Sequence, residues 1–223
     1  MEATPPIPPP PPPPPTTALA NPALHDHFVL RQRWAPFVNR YEFSVPGHED
    51  GAPELPVCFV QQKRFKFKED IRFYSDASKT VELMRIKARQ RFDPRARYDI
   101  TDPNGYKIGE IQKVFGESLL RSTFRVYDAN GVETAKATEK SMAVALIRRF
   151  IGFVPWVGSF ADWLPIPYHF VFLRGDHVLA TNSRRLFKIR DTYDIDLTGD
   201  PQRTLDRRLV LAAVVGMDAL QAR

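Results

Sequence analysis

The sequence predicts a mainly β protein, a closed antiparallel barrel around one buried C-terminal α-helix. Residues Leu209 to Met217, LVLAAVVGM, are apolar on every side of a helix, and such a helix must be enclosed on every side. At 1.5 Å per residue the segment spans roughly 14 Å, about half of the ~30 Å hydrocarbon core that a spanning helix crosses. The enclosure is therefore protein. Upstream, stretches of two-residue alternation separated by turn signals mark antiparallel strands. Closing those strands around the helix satisfies both observations and leaves no exposed sheet edge.

The chain opens with Pro5 to Pro15, proline at every position except Ile7. Such a run is an extended polyproline II segment that joins no packed core. It reads first as a stiff, solvated tether, and second as a ligand for an aromatic-lined groove on a protein partner. Thr16 to His27 continues it, so residues 1–27 are expected to be a disordered proline-rich tail and residues 28–223 the folded domain.

Within that domain Arg64-Phe-Lys-Phe-Lys68 alternates, and Ile71 and Phe73 keep the parity of Phe65 and Phe67. One face of this stretch is buried and the other strongly basic. Val81 and Leu83 alternate until Met84, Ile86 and Ala88 take over on the opposite parity, which marks a β-bulge. Asp102-Pro-Asn-Gly105 and Asp128-Ala-Asn-Gly131 are hairpin turns in which Asn-Gly supplies positive φ. Phe170 and Phe172 alternate with Val171 and Leu173, and Arg174-Gly-Asp176 turns the chain. Tyr193 to Leu197 is a further strand, and Asp200 and Pro201 are placed to cap and start the final helix. Gly216 in that helix predicts a close approach by a strand.

Met142 to Pro167 starts in a helical pattern and continues through Pro155, Trp156, Gly158, Phe160 and Trp163. It reads as a helix and loop plugging one end of the barrel. The functional alternative is a membrane-interface wedge of Arg148, Arg149, Trp156, Phe160 and Trp163, because Trp favours the headgroup level and Arg meets anionic lipid.

Charged residues make up 26% and hydrophobic residues 43% of the chain, as in a soluble globular protein. The net charge of +6 favours an acidic partner. The single cysteine, Cys58, forms no internal disulfide, so no oxidising compartment is required. The start lacks the pattern of a signal peptide, and no apolar run reaches 18 residues. The expectation is a monomeric cytoplasmic protein, with peripheral membrane contact left open.

Tyr193-Asp-Ile-Asp-Leu197 followed by Asp206-Arg-Arg-Leu-Val-Leu-Ala-Ala-Val-Val-Gly-Met-Asp218 resembles the C-terminus of phospholipid scramblases. The stretch from Val57 through Lys63-Arg-Phe-Lys-Phe-Lys-Glu-Asp70, Phe73-Tyr74 and Met84-Arg-Ile-Lys-Ala-Arg-Gln90 resembles the LURP-one-related proteins. Both groups belong to the Tubby C-terminal-like superfamily, and the resemblance covers Phe28 to Leu220. It implies an antiparallel barrel of about twelve strands around the C-terminal helix. Tubby proteins bind phosphoinositide head groups through basic barrel residues, and scramblases are associated with calcium-dependent lipid movement. LURP-one-related proteins have no settled biochemical role, so the fold alone does not choose a function.

The strongest candidate site is basic. Between Gln61 and Arg97, twelve Lys and Arg residues stand against Glu69, Asp70, Asp76, Glu82 and Asp93. Lys66, Lys68 and Arg72 oppose the Phe row, and Arg85, Lys87, Arg89 and Arg91 oppose Met84 and Ile86. With Lys63 they form one stripe if the strands pair. Each basic residue near an anionic membrane contributes about 1 kcal/mol, so a few together give salt-sensitive attachment. A merely solubilising face is the competing reading. Nucleic acid ranks below lipid because the aromatic residues share the buried parity and few remain to stack on bases.

Asp191, Asp194, Asp196 and Asp200 fall where the resemblance to scramblases points to calcium. They lack the six to eight oxygens that calcium takes, so they stand as weak metal candidates and no metal or other cofactor is expected. The five histidines are scattered, no nucleophile, phosphate-loop or dinucleotide motif is present, and Cys58 reads as a buried small residue. The expected function is non-enzymatic binding of anionic, phosphoinositide-type lipid or of a partner through the basic face. Scramblase-like transbilayer lipid movement and a scaffold acting through the proline tail are the alternatives.

Overall fold

The computed structural model describes residues 18–35, 38–47, 52–63, 70–89, 97–114, 123–139, 169–185 and 192–221. Among them twelve strands form one closed antiparallel barrel in which each strand pairs with its sequence neighbours. They are β1 (His27–Ala35), β2 (Val38–Val45), β3 (Leu55–Lys63), β4 (Asp70–Tyr74), β5 (Glu82–Ala88) and β6 (Arg97–Thr101). The circle continues through β7 (Lys107–Val114), β8 (Thr123–Asp128), β9 (Glu133–Glu139), β10 (His169–Arg174), β11 (His177–Arg184) and β12 (Thr192–Asp196). β1 closes it against β12, with His27 opposite Asp196 and Leu30 opposite Tyr193. The helix α1 (Arg207–Gln221) follows.

An eight-stranded barrel is filled by its own side chains, so a wider one has room for something more. Here α1 supplies it, and every residue from Leu209 to Met217 is buried. The inward row of the wall includes Phe28, Tyr41, Phe43, Val60, Phe73, Ile86, Ile100, Ile111, Phe124, Phe172 and Ile195, all buried. The helix lies closest to β7. A Cβ on Gly109 would sit 2.7 Å from Leu209 Cδ2, and one on Gly216 would sit 2.6 Å from Ile111 Cδ1. Two glycines thus bring helix and strand together, and the approach predicted at Gly216 is present.

Several local expectations match. Phe73 opposes Met84 while Tyr74 opposes Glu82, which leaves Leu83 as the extra residue of a bulge on β5. Gly105 and Gly131 have φ of +88° and +82°. Neither Asn104 nor Asn130 shares the positive φ, and Gly105 N–H donates to the Asp102 carbonyl at 3.1 Å. Each hairpin is therefore a type I turn ended by one left-handed glycine, rather than an apex with two positive φ angles.

Two expectations need correction. The helix does not start at Asp200 and Pro201; it starts at Arg207. The Asp200 carboxylate instead accepts from Thr204 N–H at 3.1 Å, Thr204 Oγ1 at 2.7 Å and Leu205 N–H at 2.8 Å. These bonds fold Pro201 to Leu205 back on themselves before Asp206 caps α1, accepting from Arg208 N–H at 2.8 Å. Nor is all of Thr16 to His27 a continuation of the tether. Ala20 is buried and its N–H donates to the Pro56 carbonyl at 2.8 Å, and Pro22–Leu24 form a 3₁₀ turn. Arg203 and Arg207 then bind Asp26 at 3.1 Å and 2.6 Å. Pro5 to Pro15 and Met142 to Pro167 lie outside the described residues.

The barrel has two distinct rims. The turns after β2, β4, β6, β8 and β10 share one rim with the start of α1, here called the entrance rim. The ends of β1, β3, β5, β7, β9 and β11 face the opposite, far rim, toward which α1 runs.

Candidate anion-binding face

The outward parity of β4 to β7 gathers charges that the sequence scatters over forty residues. Registers bring Asp70, Lys87, Asp99 and Glu110 into one line across four strands. Arg72 faces Arg85 in the neighbouring line. Two guanidinium groups opposite each other repel, and Glu82 relieves this by bridging them, at 2.7 Å from Arg85 and 3.5 Å from Arg72. Asp70 also holds Arg72, at 2.9 Å.

Glu110 is the centre of the face. Its side chain is 1% exposed, beneath Arg89 at 2.5 Å, Arg97 at 2.7 Å and Lys107 at 2.7 Å. Burial pushes its carboxyl up, and the Lys107 hydrogen bond with the fields of Arg89, Lys107 and Arg97 outweighs this, so it lies below the usual carboxylate range. Arg89 also grips Asp99 in a two-pronged pair at 2.7 and 2.8 Å. The hydrogen bond to Asp99 is the largest reason its guanidinium is held above its ordinary value. Arg97 stands 5.2 Å over the Tyr127 ring, close enough for a cation–π attraction. Between these groups Lys87 is exposed and makes no ion pair among the described residues.

Of the residues expected on a basic stripe, Arg72, Arg85, Lys87 and Arg89 lie on one outer face. Lys66, Lys68 and Arg91 lie outside the described residues, as does the side chain of Lys63. Arg148, Arg149, Trp156, Phe160 and Trp163 also fall outside them. The face is not the one-sign stripe that the local count suggests. Asp99 and Glu110 lie beyond the window in which the bases were counted and return to it through strand pairing. Lys107 joins by the same route. The alternation of Arg97-Tyr-Asp-Ile in sequence does show that Arg97 and Asp99 share a face, but not what they face.

Asp194 and Asp196, among the described aspartates near the helix, are both engaged. Asp194 is held by Arg185 through two bonds of 2.5 and 2.6 Å, and Asp196 accepts from Thr198 N–H and Oγ1. Asp191 lies outside the described residues. No group of three His, Cys, Asp or Glu placed to hold a metal occurs among the described residues. Cys58 is buried, and burial alone pushes its thiol far up, which disfavours the nucleophilic thiolate. A cleft of about 380 Å³ at the entrance rim is lined by Asp102, Asp128 and Asp206 together with Tyr106, Lys107 and Arg208. Its carboxylates serve their own turns and cap: Asp102 accepts from Tyr106 N–H, Asp128 from Asn130 N–H and Asp206 from Arg208.

A closed barrel of twelve antiparallel strands around a C-terminal helix, with its charge on the outer wall, defines the class. The family model of the LURP-one-related proteins matches residues 57–218. The chain belongs to this family, and with it to the Tubby C-terminal-like superfamily. No curated protein and no solved structure gave a match.

Proposed function

We propose that this protein is a non-catalytic binder of anionic lipid headgroups, docking at a membrane surface through the outer face of β4 to β7. The observation that carries this reading is Lys87, exposed and unpaired among the described residues, between Arg85 and Arg89 on the same outward row. Arg97 and Lys107 extend that row on the next two strands. Their carboxylate partners hold the guanidinium groups in fixed orientations; Arg85 is engaged through Nε and Arg97 through one Nη, and their remaining N–H groups suit contacts to phosphate oxygens. The same carboxylates cancel much of the charge. Attachment is therefore weak and steeply salt-dependent, since each unscreened basic residue contributes only about 1 kcal/mol.

No described helix is long and apolar enough to cross a membrane, and docking from the surface needs none. Co-sedimentation of the full chain with vesicles tests the reading. Binding is expected with acidic phospholipid or phosphoinositide at low salt, declining as salt rises, and none with purely zwitterionic vesicles. Absence of binding to acidic vesicles at low salt overturns it.

A further inference from the structure

The wall becomes polar where α1 approaches the far rim. Parity that buries Leu30, Phe43 and Ala180 farther in places Gln32, Tyr41 and Asn182 inward near that rim, around Asp218 in the last turns of the helix. Tyr41 Oη donates to Asp218 Oδ2 at 2.5 Å. Burial, reinforced by the Asp218 charge, pushes the Tyr41 phenol well above its ordinary value, so it stays protonated as the donor.

Beside this pair is a small, partly open space of about 20 Å³, with Asn182, Tyr193 and Asp218 among its polar walls and Phe170 and Val214 among its apolar ones. Asn182 is 4% exposed, and its Oδ1 accepts no hydrogen bond from the protein. A buried acceptor in that condition is costly unless something donates to it. The space exceeds the roughly 10–15 Å³ that one water needs and offers several polar groups for it to bond.

We propose that this cavity is a binding site for one water molecule, which donates to Asn182 Oδ1 and bridges the barrel wall to the Tyr41–Asp218 pair on α1. The site takes a small neutral donor and has no room for an organic ligand. It tethers the C-terminal half of the helix to β11 by solvent, beside the direct Tyr41–Asp218 bond to β2. The inference is independent of the lipid reading.

Water cross-relaxation NMR on the full chain tests it. A long-lived water signal is expected at the Asn182 side-chain amide and the Val214 methyls, and it should be lost in Asn182→Leu. Should that variant fail to fold, Val214→Ile fills the space from the helix side and should remove the same signal. Thermal unfolding in equimolar sodium or ammonium chloride provides the second arm, with equal midpoints expected. A midpoint raised by ammonium in the parent but not in Asn182→Leu would reassign the site to a cation and overturn the water. A parent protein without a long-lived water signal overturns the proposal outright.

Discussion

Arg207 is 2% exposed, yet it is the first of two adjacent arginines at the mouth of an apolar helix. It donates to Asp200 at 2.7 Å, to Asp26 at 2.6 Å, and to the carbonyls of Leu205 and Asp200 at 3.0 Å each. One side chain thus joins the N-terminal strand entry, the turn after β12 and the start of α1. Burial raises the Asp200 and Asp26 carboxyls, but their hydrogen bonds, to Leu205 N–H and Thr204 for the first and to Arg207 and Arg203 for the second, hold both below the usual value. Groups of that kind add stability above the unfolded pKa of about 3.9, and the contribution is lost as pH falls through the folded value. Removing the cation leaves the buried Asp200 carboxylate without a counter-charge, though still hydrogen-bonded by Thr204 and Leu205, a change that costs up to about 3–5 kcal/mol. Arg207→Met should therefore lose that much stability in neutral urea titrations, and the gap to the parent should narrow below about pH 4. A loss under about 1 kcal/mol would show that the network is not needed. The sequence did not reveal this residue, because its partners lie 7 and 181 positions away and Arg is seldom buried unless paired.

At the scale of elements, fit between α1 and β7 rests on two glycines that differ in what surrounds them. A methyl on Gly216 meets the end of the Ile111 side chain at 2.6 Å, whereas one on Gly109 meets the Tyr127 carbonyl oxygen at 2.4 Å. Ile111 can change rotamer, and Ala in a helix gains about 1 kcal/mol over Gly. The backbone of β8 has no such freedom, and overpacking costs about 1–3 kcal/mol. Gly216→Ala should be close to neutral and Gly109→Ala clearly destabilising in thermal unfolding; the reverse order would refute this account of the contact. Gly216→Leu, with three more carbons against the same wall, should not fold. The helix and its close contact were legible because an apolar run has one physical resolution, and so was the Leu83 bulge, because parity changes within the strand itself. The helix start and the glycine turns were misread in detail, since side-chain bonds from Asp200 and Asp102 decide them and sequence does not display those bonds. The mixed charge of the outer face was hidden for a related reason: Arg89 meets Asp99 and Glu110 through registers of β5, β6 and β7 that no local pattern fixes.

For the whole molecule, closure of the barrel has a functional consequence. Among the described residues the interior is occupied by the helix and its apolar contacts, beside the water-sized space near the far rim, and the charged groups suited to a larger anionic partner lie on the outer wall. On the outer wall, β4 to β7 combine an unpaired lysine with guanidinium groups already oriented by carboxylates. β1 lies on the other side of the circle from β7, and its Arg33 is paired with Glu42 at 2.9 Å. The two positions allow a comparison at equal change in net charge. Lys87→Gln breaks no described ion pair and should leave the fold intact, whereas loss of about 1 kcal/mol of membrane attraction corresponds to roughly fivefold weaker binding. The decisive measurement is the affinity of the parent, Lys87→Gln and Arg33→Gln for acidic vesicles at one low salt concentration. A severalfold loss in Lys87→Gln alone, with parent-like binding by Arg33→Gln, is the predicted result; equal affinities for all three would contradict docking through the β4–β7 face.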